Sequence, residues 1–386
     1  MNPNALTDAA SADALPERTH LKIGFVPLSD AAPIVAAKLL EFGHAHGLTL
    51  ELSREPSWAA LRDKLLAGEL DAAHALYGLV YGVQLGLGGP QADMALLMVL
   101  ARNGQAITLS NRLADAFATH GTLPRAFAAL GRKPVFAQTF PTGTHAMWLA
   151  YWLAAQGVHP LRDVESVVIP PPQMVTALAQ ERLDGLCVGE PWNALAQQRG
   201  VGRTVVQSGA IWPDHPEKVL ACRREFVRAY PRTAKALVRT LLEACRWLDG
   251  AGHRREIAQW LAHPEFVGVD AEVIASRLEQ AAHASVAPVR FFDDGAVNYP
   301  HTSEGVWFLT QFERWGLMAR RDDFRGDYRE IAQAINQTAL YCEAAQSLQI
   351  GLPAERPPQV LIDGRCWDGG DPHAYVDGFA INGAHA

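Results

Sequence analysis

Residues 135–157 read VFAQTFPTGTHAMWLAYWLAAQG and run from an apolar strand through a Pro-Thr-Gly-Thr-His turn into an apolar helix. Pro141 and Gly143 punctuate the end of the strand, and Thr142 or Thr144 can cap the helix. The apolar residues that then recur at helical spacing are Met147, Trp148, Tyr151, Trp152 and Leu153. Such a helix start favours small anions, because free backbone N–H groups and the positive end of the helix dipole lie there.

His145 lies in the first turn of this predicted helix and adds a donor that can carry charge near neutral pH. Taken alone, a histidine at a helix start is usually a surface residue. The turn therefore predicts a ligand site only in combination with residues elsewhere in the chain.

Length and charge narrow the classes of protein that this sequence can encode. With 386 residues, the chain exceeds the size at which a single core keeps growing, so two domains or lobes are expected. A formal net charge of −7 argues against direct nucleic-acid binding, because phosphate contacts need clustered Lys and Arg. The cysteines are odd in number and widely spaced, which is typical of reduced thiols in a cytoplasm. They are Cys187, Cys222, Cys245, Cys342 and Cys366.

The first twenty residues, MNPNALTDAASADALPERTH, contain no basic start and no apolar run, so we expect no signal peptide. Nor does a later stretch reach the roughly 18 uninterrupted apolar residues of a membrane span. We therefore expect a cytoplasmic protein without a membrane partner. Residues 1–19 are expected to form a mobile tail.

Strand and helix patterns alternate in the first part of the chain, which predicts a parallel sheet. The predicted elements are strand Leu21–Val26, helix Ala32–His46, strand Leu48–Leu52, helix Trp58–Ala67 and strand Leu70–Leu76. A second series begins at Arg132. A helix that leads into a strand containing Leu-Asp occurs once in each series, at Leu70-Asp71 and Leu183-Asp184. This repetition predicts two similar α/β lobes that face one another.

The chain after Arg232 is predicted to be mostly helical, with apolar residues at i, i+3 and i+4. The predicted helices are Thr233–Asp249, Arg254–Leu261, Ala271–Ala282 and Glu304–Trp315. We expect them to return to the first lobe. Residues 351–386, rich in Gly, Pro and Asp, are expected to be extended and surface-bound or partly mobile.

Neither of two glycine-containing loops predicts a ligand site by itself. Residues 84–89 are Gly-rich, but no strand leads into them as a dinucleotide fingerprint requires, so nucleotide binding is not expected. The pair Asn103-Gly104 separates two strand-like stretches and would ordinarily mark a tight turn.

Five residues sit at predicted strand ends or helix starts, and such ends gather at one edge of each lobe. They are Trp58, Gln105, His145, Gly189 and Lys218. An indole, an amide and backbone N–H groups could bind a planar monoanion such as nitrate, with one cation to offset its charge. The alternative for Lys218 is a surface lysine before a strand Val219–Cys222. No order of catalytic residues and no metal-ligand spacing stands out.

Several segments, taken in order, resemble the nitrate/bicarbonate solute-binding protein family over nearly all of residues 20–345. These segments are Trp58–His74, Asn103–Ser110 (NGQAITLS), Pro141–Leu153 (PTGTHAMWLAYWL), Gly189–Asn193 (GEPWN), Glu217–Val219 (EKV) and Phe308–Gly316 (FLTQFERWG). The resemblance implies an α/β type II periplasmic-binding-protein fold, with two lobes around an anion cleft and a helical C-terminal extension. We assign residues 20–112 and 218–386 to lobe I and residues 113–217 to lobe II.

The ligand-binding residues that the resemblance implies are Trp58, Gln105, Thr144, His145, Gly189 and Lys218. Lys218 would supply the positive charge. In bicarbonate-binding members an acidic residue at this position works with a calcium ion, whereas a lysine resembles the nitrate-binding branch. We therefore expect nitrate or nitrite as the ligand, with no metal, no cofactor and no catalysis.

The transport proteins of this family carry a signal peptide, which we do not expect in this chain. In this respect the chain resembles the cytoplasmic NasS type of nitrate/nitrite sensor. That type holds a NasT-type ANTAR antiterminator protein inactive until an anion binds, and the partner, rather than the sensor, contacts RNA. One alternative is the substrate-binding component of a nitrate ABC transporter, which would require that a signal peptide has been removed. The other is an enzyme, since some proteins with this fold act on pyrimidine precursors through a His/Cys-rich site that this sequence lacks.

Overall fold

Two mixed β-sheets of five strands each divide the chain into two lobes. The structure is a computed structural model that describes residues 15–279, 287–319 and 328–383. The strands are, in chain order, β1 (His20–Phe25), β2 (Thr49–Arg54), β3 (Ala72–Leu76), β4 (Met94–Arg102), β5 (Gln105–Ser110), β6 (Val135–Gln138), β7 (Glu165–Val168), β8 (Gly185–Gly189), β9 (Gly202–Gln207), β10 (Pro216–Arg223), β11 (Gln359–Val360) and β12 (Cys366–Trp367).

Helices cover both sheets and also form most of the chain after β10. They are α1 (Ala32–Leu39), α2 (Trp58–Ala67), α3 (Tyr77–Leu85), α4 (Asn111–His120), α5 (Leu123–Leu130), α6 (Thr144–Ala155), α7 (Pro171–Ala179), α8 (Trp192–Gln198), α9 (Ser208–Ile211), α10 (Arg224–Ala229), α11 (Pro231–Leu248), α12 (His253–Leu261), α13 (Ala271–Leu278), α14 (Thr302–Arg314), α15 (Tyr328–Ile335), α16 (Thr338–Ser347) and α17 (Pro372–Asp377). None of the helices within the described ranges is long and apolar enough to cross a lipid bilayer.

The two sheets have the same topology. In lobe I the strand order is β2-β1-β3-β10-β4, and in lobe II it is β7-β6-β8-β5-β9. The first three strands of each order are parallel, and the fourth runs antiparallel to both of its neighbours. Every residue of β3 and β4 is buried, as expected of strands that are covered on both faces and therefore have nearly continuous apolar sequences.

The chain crosses between the lobes twice, from β4 of lobe I to β5 of lobe II and then back to β10 of lobe I through residues 212–215, the second crossing. The first crossing is Asn103-Gly104, where both residues have positive φ angles of 60° and 84°. It joins β4 of one sheet to β5 of the other and is not the tight turn that an Asn-Gly pair ordinarily marks. The strand β5 therefore belongs to the second sheet, whereas the predicted range of lobe I runs to residue 112.

Several predicted bounds differ from the structure. The single helix predicted for residues 32–46 is α1 followed by a separate 3-10 helix, Phe42–His46, after Glu41 adopts a left-handed φ of 55°. The strand predicted as Val219–Cys222 is longer at both ends, so Lys218 lies inside β10. Helix α13 ends at Leu278, and residues 280–282 of its predicted range lie outside the described residues.

Part of the predicted N-terminal tail is held against lobe I. Residues 1–14 lie outside the described residues, but the Glu17 carboxylate accepts hydrogen bonds from the backbone N–H groups of Arg232 and Thr233 at 3.1 and 2.8 Å. These groups are at the start of α11, where N–H groups lack partners within the helix. Arg18 also pairs with Asp71 at 2.7 Å. Residues 17 and 18 therefore cap α11 and do not form a free tail.

The C-terminal segment packs against both lobes. Asp363 accepts a hydrogen bond from Tyr151 of α6 in lobe II at 2.9 Å. Trp367 donates to the Ser303 carbonyl of α14 at 3.0 Å, and α14 packs on α3 of lobe I. The hairpin β11–β12 and helix α17 give this segment more order than its composition predicted.

The turn before α6 docks directly on α3, which closes the two lobes on each other. Gly78 and Gly82 lie on α3, and a Cβ atom at either position would come within 2.2 Å of Thr142, at its carbonyl oxygen and its hydroxyl respectively. A backbone carbonyl cannot rotate away as a side chain can. Glycine at position 78 is therefore required for the observed approach of the lobes.

We predict that Gly78→Ala leaves each lobe folded but separates the lobes, because alanine favours the helix while its methyl group would overlap the Thr142 carbonyl. Small-angle X-ray scattering should show a larger radius of gyration than for the unmodified protein. Gly351→Ala is the matched control, since no atom lies within 4 Å of a Cβ at that position. Identical scattering curves for Gly78→Ala and the control would contradict this account of closure.

Candidate functional site

Lobe I contributes a buried cluster of charges at the bottom of the cleft. Asp30 follows β1 in a short 3-10 helix, Ser29–Ala31, and its carboxylate lies 2.9 Å from the Lys218 ammonium and 3.1 Å from His74 Nε2. The ammonium also donates a hydrogen bond of 2.8 Å to Glu217. Lys218, Glu217 and His74 are fully buried, and Asp30 is 3% exposed. Lys218 is therefore not the surface lysine of the alternative interpretation.

An irregularity in β10 brings two adjacent residues of one strand into the same cluster. Side chains of neighbouring residues in a regular strand point to opposite faces. The pairing of β10 with β4 shifts register on both sides of Lys218, next to Pro216 and next to Val219. Glu217 and Lys218 therefore both reach the cleft between the lobes.

Helix α6 of lobe II reaches across the cleft to Glu217. The Thr144 hydroxyl donates a 2.5 Å hydrogen bond to one carboxylate oxygen, and Trp148 Nε1 donates a 3.1 Å bond to the other. The residue that caps α6 is Gly143, without a side-chain hydrogen bond, so neither Thr142 nor Thr144 caps the helix as predicted. The hydroxyl of Thr144 is instead a bridge between the lobes.

Gln105 and His145 form a second bridge. The Gln105 amide group donates to Asp30 at 3.4 Å, and its carbonyl oxygen accepts a short hydrogen bond from His145 Nε2. Because a carbonyl oxygen only accepts, Nε2 must carry the proton, and Nδ1 then accepts the 2.7 Å bond from the Thr139 hydroxyl. His145 is thus a neutral donor directed at Gln105, and it is fully buried.

Trp58 and Ser29 lie beside the cluster and carry buried side-chain donors. Trp58 begins α2, is fully buried, and its ring centre lies 5.7 Å from the Lys218 ammonium. Within the described part of the chain, neither Trp58 Nε1 nor the buried Ser29 hydroxyl has a hydrogen-bond partner. An unpaired buried donor is costly unless a ligand or water supplies its acceptor.

Gly189 lies beside Gln105, with which it pairs in the lobe II sheet. A Cβ atom at Gly189 would meet Leu28 at 3.0 Å and the Gln105 carbonyl oxygen at 3.1 Å, so the absence of a side chain keeps this wall close to the opposite lobe. The next residue strengthens the contact, because the Glu190 carbonyl accepts a 2.7 Å hydrogen bond from the Ser29 backbone N–H.

Burial and the neighbouring charges set the protonation states. Burial acts to raise the pKa of Asp30, but the charge of Lys218 and the contact with His74 hold it well below its usual range. Burial acts to lower the pKa of Lys218, and the two carboxylates outweigh it and raise that pKa. Burial raises the pKa of Glu217 despite the nearby ammonium. Burial, and then the charge of Lys218, lower the pKa of His145 well below its usual value.

The structure brings all six sequence-predicted site residues together: Trp58, Gln105, Thr144, His145, Gly189 and Lys218. Sequence reasoning did not identify the polar residues that hold them in place, which are Ser29, Asp30, His74, Trp148 and Glu217. The sequence position of two of these residues, Ser29 and Asp30, could have indicated their role. Ser29-Asp30 directly follows the first strand, in the position at which polar residues converge at a sheet edge.

The cluster pairs one buried ammonium with two carboxylates. Neutral N–H and O–H donors surround these charges, and a pocket lined in part by Asp30 and Gln105 adjoins the cluster. No group of three or more His, Cys, Asp or Glu side chains suited to holding a metal ion occurs among residues 15–279, 287–319 and 328–383.

Comparison with known sequences identifies the family of the chain. Residues 14–262 match the NMT1-like family. The chain is 34% identical to the nitrate/nitrite binding protein NrtA of Synechocystis sp. over 406 aligned positions, which cover 99% of this chain and 90% of NrtA. It is 38% identical to the nitrate import ATP-binding protein NrtC of the same organism, and there it spans 56% of the relative's length.

A solved relative has the same fold. The crystal structure of the periplasmic nitrate-binding protein NrtA from Synechocystis PCC 6803 superposes with a TM-score of 0.87 at 35% identity, covering 95% of this chain and all of that chain. The predicted type II periplasmic-binding-protein fold is therefore confirmed. The relatives matched over nearly their whole length are binding proteins, which agrees with the prediction that this chain is not an enzyme.

The buried histidines predict a loss of stability in mild acid. Burial lowers the pKa of His74 and His145, and it lowers that of His215 to about 3. The unfolded chain therefore binds more protons below a pH of about 6.5, and stability falls by up to about 1.4 kcal/mol per pH unit for each histidine. The raised pKa values of Glu217 and Glu190 act in the opposite direction, whereas the pKa of His301, lowered to about 4, adds to the effect of the three histidines.

Chemical denaturation between pH 7.5 and pH 4.5, a window set by these shifts, should show a steadily decreasing free energy of unfolding. His215→Gln should make the free energy of unfolding depend less steeply on pH, by the equivalent of about one proton taken up on unfolding. Glutamine keeps a hydrogen-bond donor but does not titrate. A free energy that stays constant or rises as the pH falls through this window would show that the three imidazoles are not buried in the neutral form.

Proposed function

Since this chain belongs to the NMT1-like family, among the nitrate/bicarbonate solute-binding proteins related to NrtA, we propose that it binds nitrate or nitrite between its lobes. The observation that carries this proposal is a buried ammonium, Lys218, beside the unpaired buried indole N–H of Trp58. A buried cation beside an unpaired N–H donor supplies the two kinds of contact that a small anion needs.

The remaining donors suit a planar oxyanion. On this proposal, the amide group of Gln105 and the Nε2 proton of His145 turn from their mutual hydrogen bond toward the anion, and the N–H groups around Gly189 contribute from the same wall. A neutral His145 still donates through Nε2, so binding does not need a protonated imidazole. Lys218 offsets the charge, and no metal is needed.

We further propose that the protein acts as a cytoplasmic sensor of the NasS type and controls a NasT-type ANTAR antiterminator. Closure of two lobes on an anion is a change that a partner can detect. The net charge of −7 suits a protein that leaves RNA contact to its partner. All five cysteines are free thiols, which is typical of a reducing compartment.

The alternative function is the substrate-binding component of a nitrate ABC transporter. It is favoured by the resemblance to NrtA, whose solved structure is that of a periplasmic protein. Both functions use the same anion site and differ in location and partner. Fractionation of native cells, with mass spectrometry of the mature chain, separates them: a periplasmic, processed protein would exclude the sensor.

We predict that Trp58→Phe weakens nitrate binding about 10- to 150-fold, the effect of losing one hydrogen bond to a charged group. Stability should change little, since the indole N–H has no partner in the described structure. Trp315→Phe is the matched control, because Trp315 Nε1 is also buried and without a hydrogen bond but lies at the end of α14, away from the cluster. Calorimetric titration with nitrate, nitrite and bicarbonate gives the affinities, and equal nitrate affinity in both variants would contradict the site.

The sensor proposal predicts that nitrate dissociates the protein from its antiterminator. If the partner binds only the open form, linkage requires that each ligand weaken the other by the same factor, about 5- to 150-fold for a coupling of about 1–3 kcal/mol. Gel filtration of the co-purified pair, with and without nitrate, measures this directly. A complex that survives saturating nitrate, or that forms only with nitrate, would return the protein to the class of simple anion-binding modules.

A further inference from the structure

One arginine lies at the mouth of the pocket that adjoins the anion site. Arg277 is on α13, which packs against α12 on one side and against α8 of lobe II on the other. Its side chain lines the same pocket as Asp30 and Gln105 of the cluster, and it is 17% exposed. Arg277 therefore has access both to solvent and to the cleft.

The guanidinium of Arg277 is held by lobe II, but loosely. Its Nε atom lies 3.3 Å from a carboxylate oxygen of Glu190, without the geometry of a hydrogen bond. A second nitrogen donates to the side chain of Gln197. The other oxygen of Glu190 accepts a 3.0 Å hydrogen bond from the Ala194 backbone N–H, so the carboxylate has a partner that does not depend on Arg277.

The carboxylates around the entrance repel an arriving anion. The pocket walls carry two carboxylates, Asp30 and Glu190, and a third carboxylate, Glu217, lies behind them with Lys218. Among the residues that line the pocket, Arg277 carries the positive charge. A cation at the mouth of a cleft raises the local concentration of anions and the rate at which they enter.

We propose that Arg277 admits the anion to the cleft. On arrival, a planar oxyanion takes the place of Glu190 on the guanidinium, whose fork of N–H groups matches two oxygens at once. The anion then passes to Gln105 and Lys218, and Glu190 returns to Arg277 and closes the mouth. The inference rests on the proposed anion-binding function and adds an entry residue to it.

The opposing interpretation is that Arg277 and Glu190 only hold the closed lobes together. An entry residue changes the association rate and its dependence on ionic strength, whereas a pure latch changes the dissociation rate. Stopped-flow tryptophan fluorescence after mixing with nitrate separates the two rates. The variants are Arg277→Gln, Arg277→Lys and Glu190→Gln, and the matched control is Arg255→Gln, which removes an exposed positive charge paired with Glu272 on the neighbouring helix.

For Arg277→Gln we expect association about tenfold slower, with most of its dependence on ionic strength lost, as for the removal of a steering charge. Arg277→Lys should retain most of the salt dependence, which keeps the inference testable if the glutamine variant folds poorly. Glu190→Gln should associate at least as fast as the unmodified protein, because a competing carboxylate is gone. Arg255→Gln should leave both rates unchanged.

Association that is unchanged in Arg277→Gln, with faster dissociation in both Arg277→Gln and Glu190→Gln, would overturn the entry role and leave the pair as a latch. Calorimetry of the unmodified protein separates this result from a failure of the proposed function. If the unmodified protein binds neither nitrate nor nitrite, the function itself is wrong. If it binds them and Arg277→Gln associates normally, only the entry role is wrong.

Discussion

A buried ammonium held between two buried carboxylates is the interaction on which the rest of this structure depends. Lys218 lies 2.9 Å from Asp30 and 2.8 Å from Glu217, and charges removed from water are tolerated only when they are paired and hydrogen-bonded. Lobe II adds a donor to each carboxylate, the Gln105 amide for Asp30 and the Thr144 hydroxyl for Glu217. Separating the lobes removes these donors. Closure of the cleft and assembly of the candidate site are therefore one event.

A second ionic network fixes the place at which the lobes are joined. Arg102, the last residue of β4 before the first crossing, donates to Glu304 of α14 at 2.6 Å and to the Asp214 carbonyl in the second crossing at 3.0 Å. Arg356 of the C-terminal segment contacts both acidic residues, at 3.3 and 3.1 Å. The crossings and the C-terminal segment are thus tied together in a region that is buried at Arg102 and Glu304.

The sequence predicted the parts of the fold that depend on local pattern, and the resemblance to a family predicted which residues meet in the cleft. Apolar runs located most strands and helices within a few residues. The antiparallel insertion of β5 and β10 into their sheets is not encoded locally, because a strand has the same pattern in either sheet. The family resemblance pointed to Lys218 but not to its neighbour Glu217, since adjacent opposite charges usually indicate a solvated ion pair. Only the register shifts in β10 bury both of them.

A crystal structure of the protein grown with nitrate would show whether the two lobes close on a small planar anion at Lys218. We expect planar density within hydrogen-bond distance of Trp58 Nε1, the Gln105 amide and the Lys218 ammonium, with the hydrogen bond between Gln105 and His145 broken. Density for nitrate elsewhere on the protein, or a cleft in which Lys218 keeps both carboxylates and Trp58 stays unpaired at saturating nitrate, would contradict it.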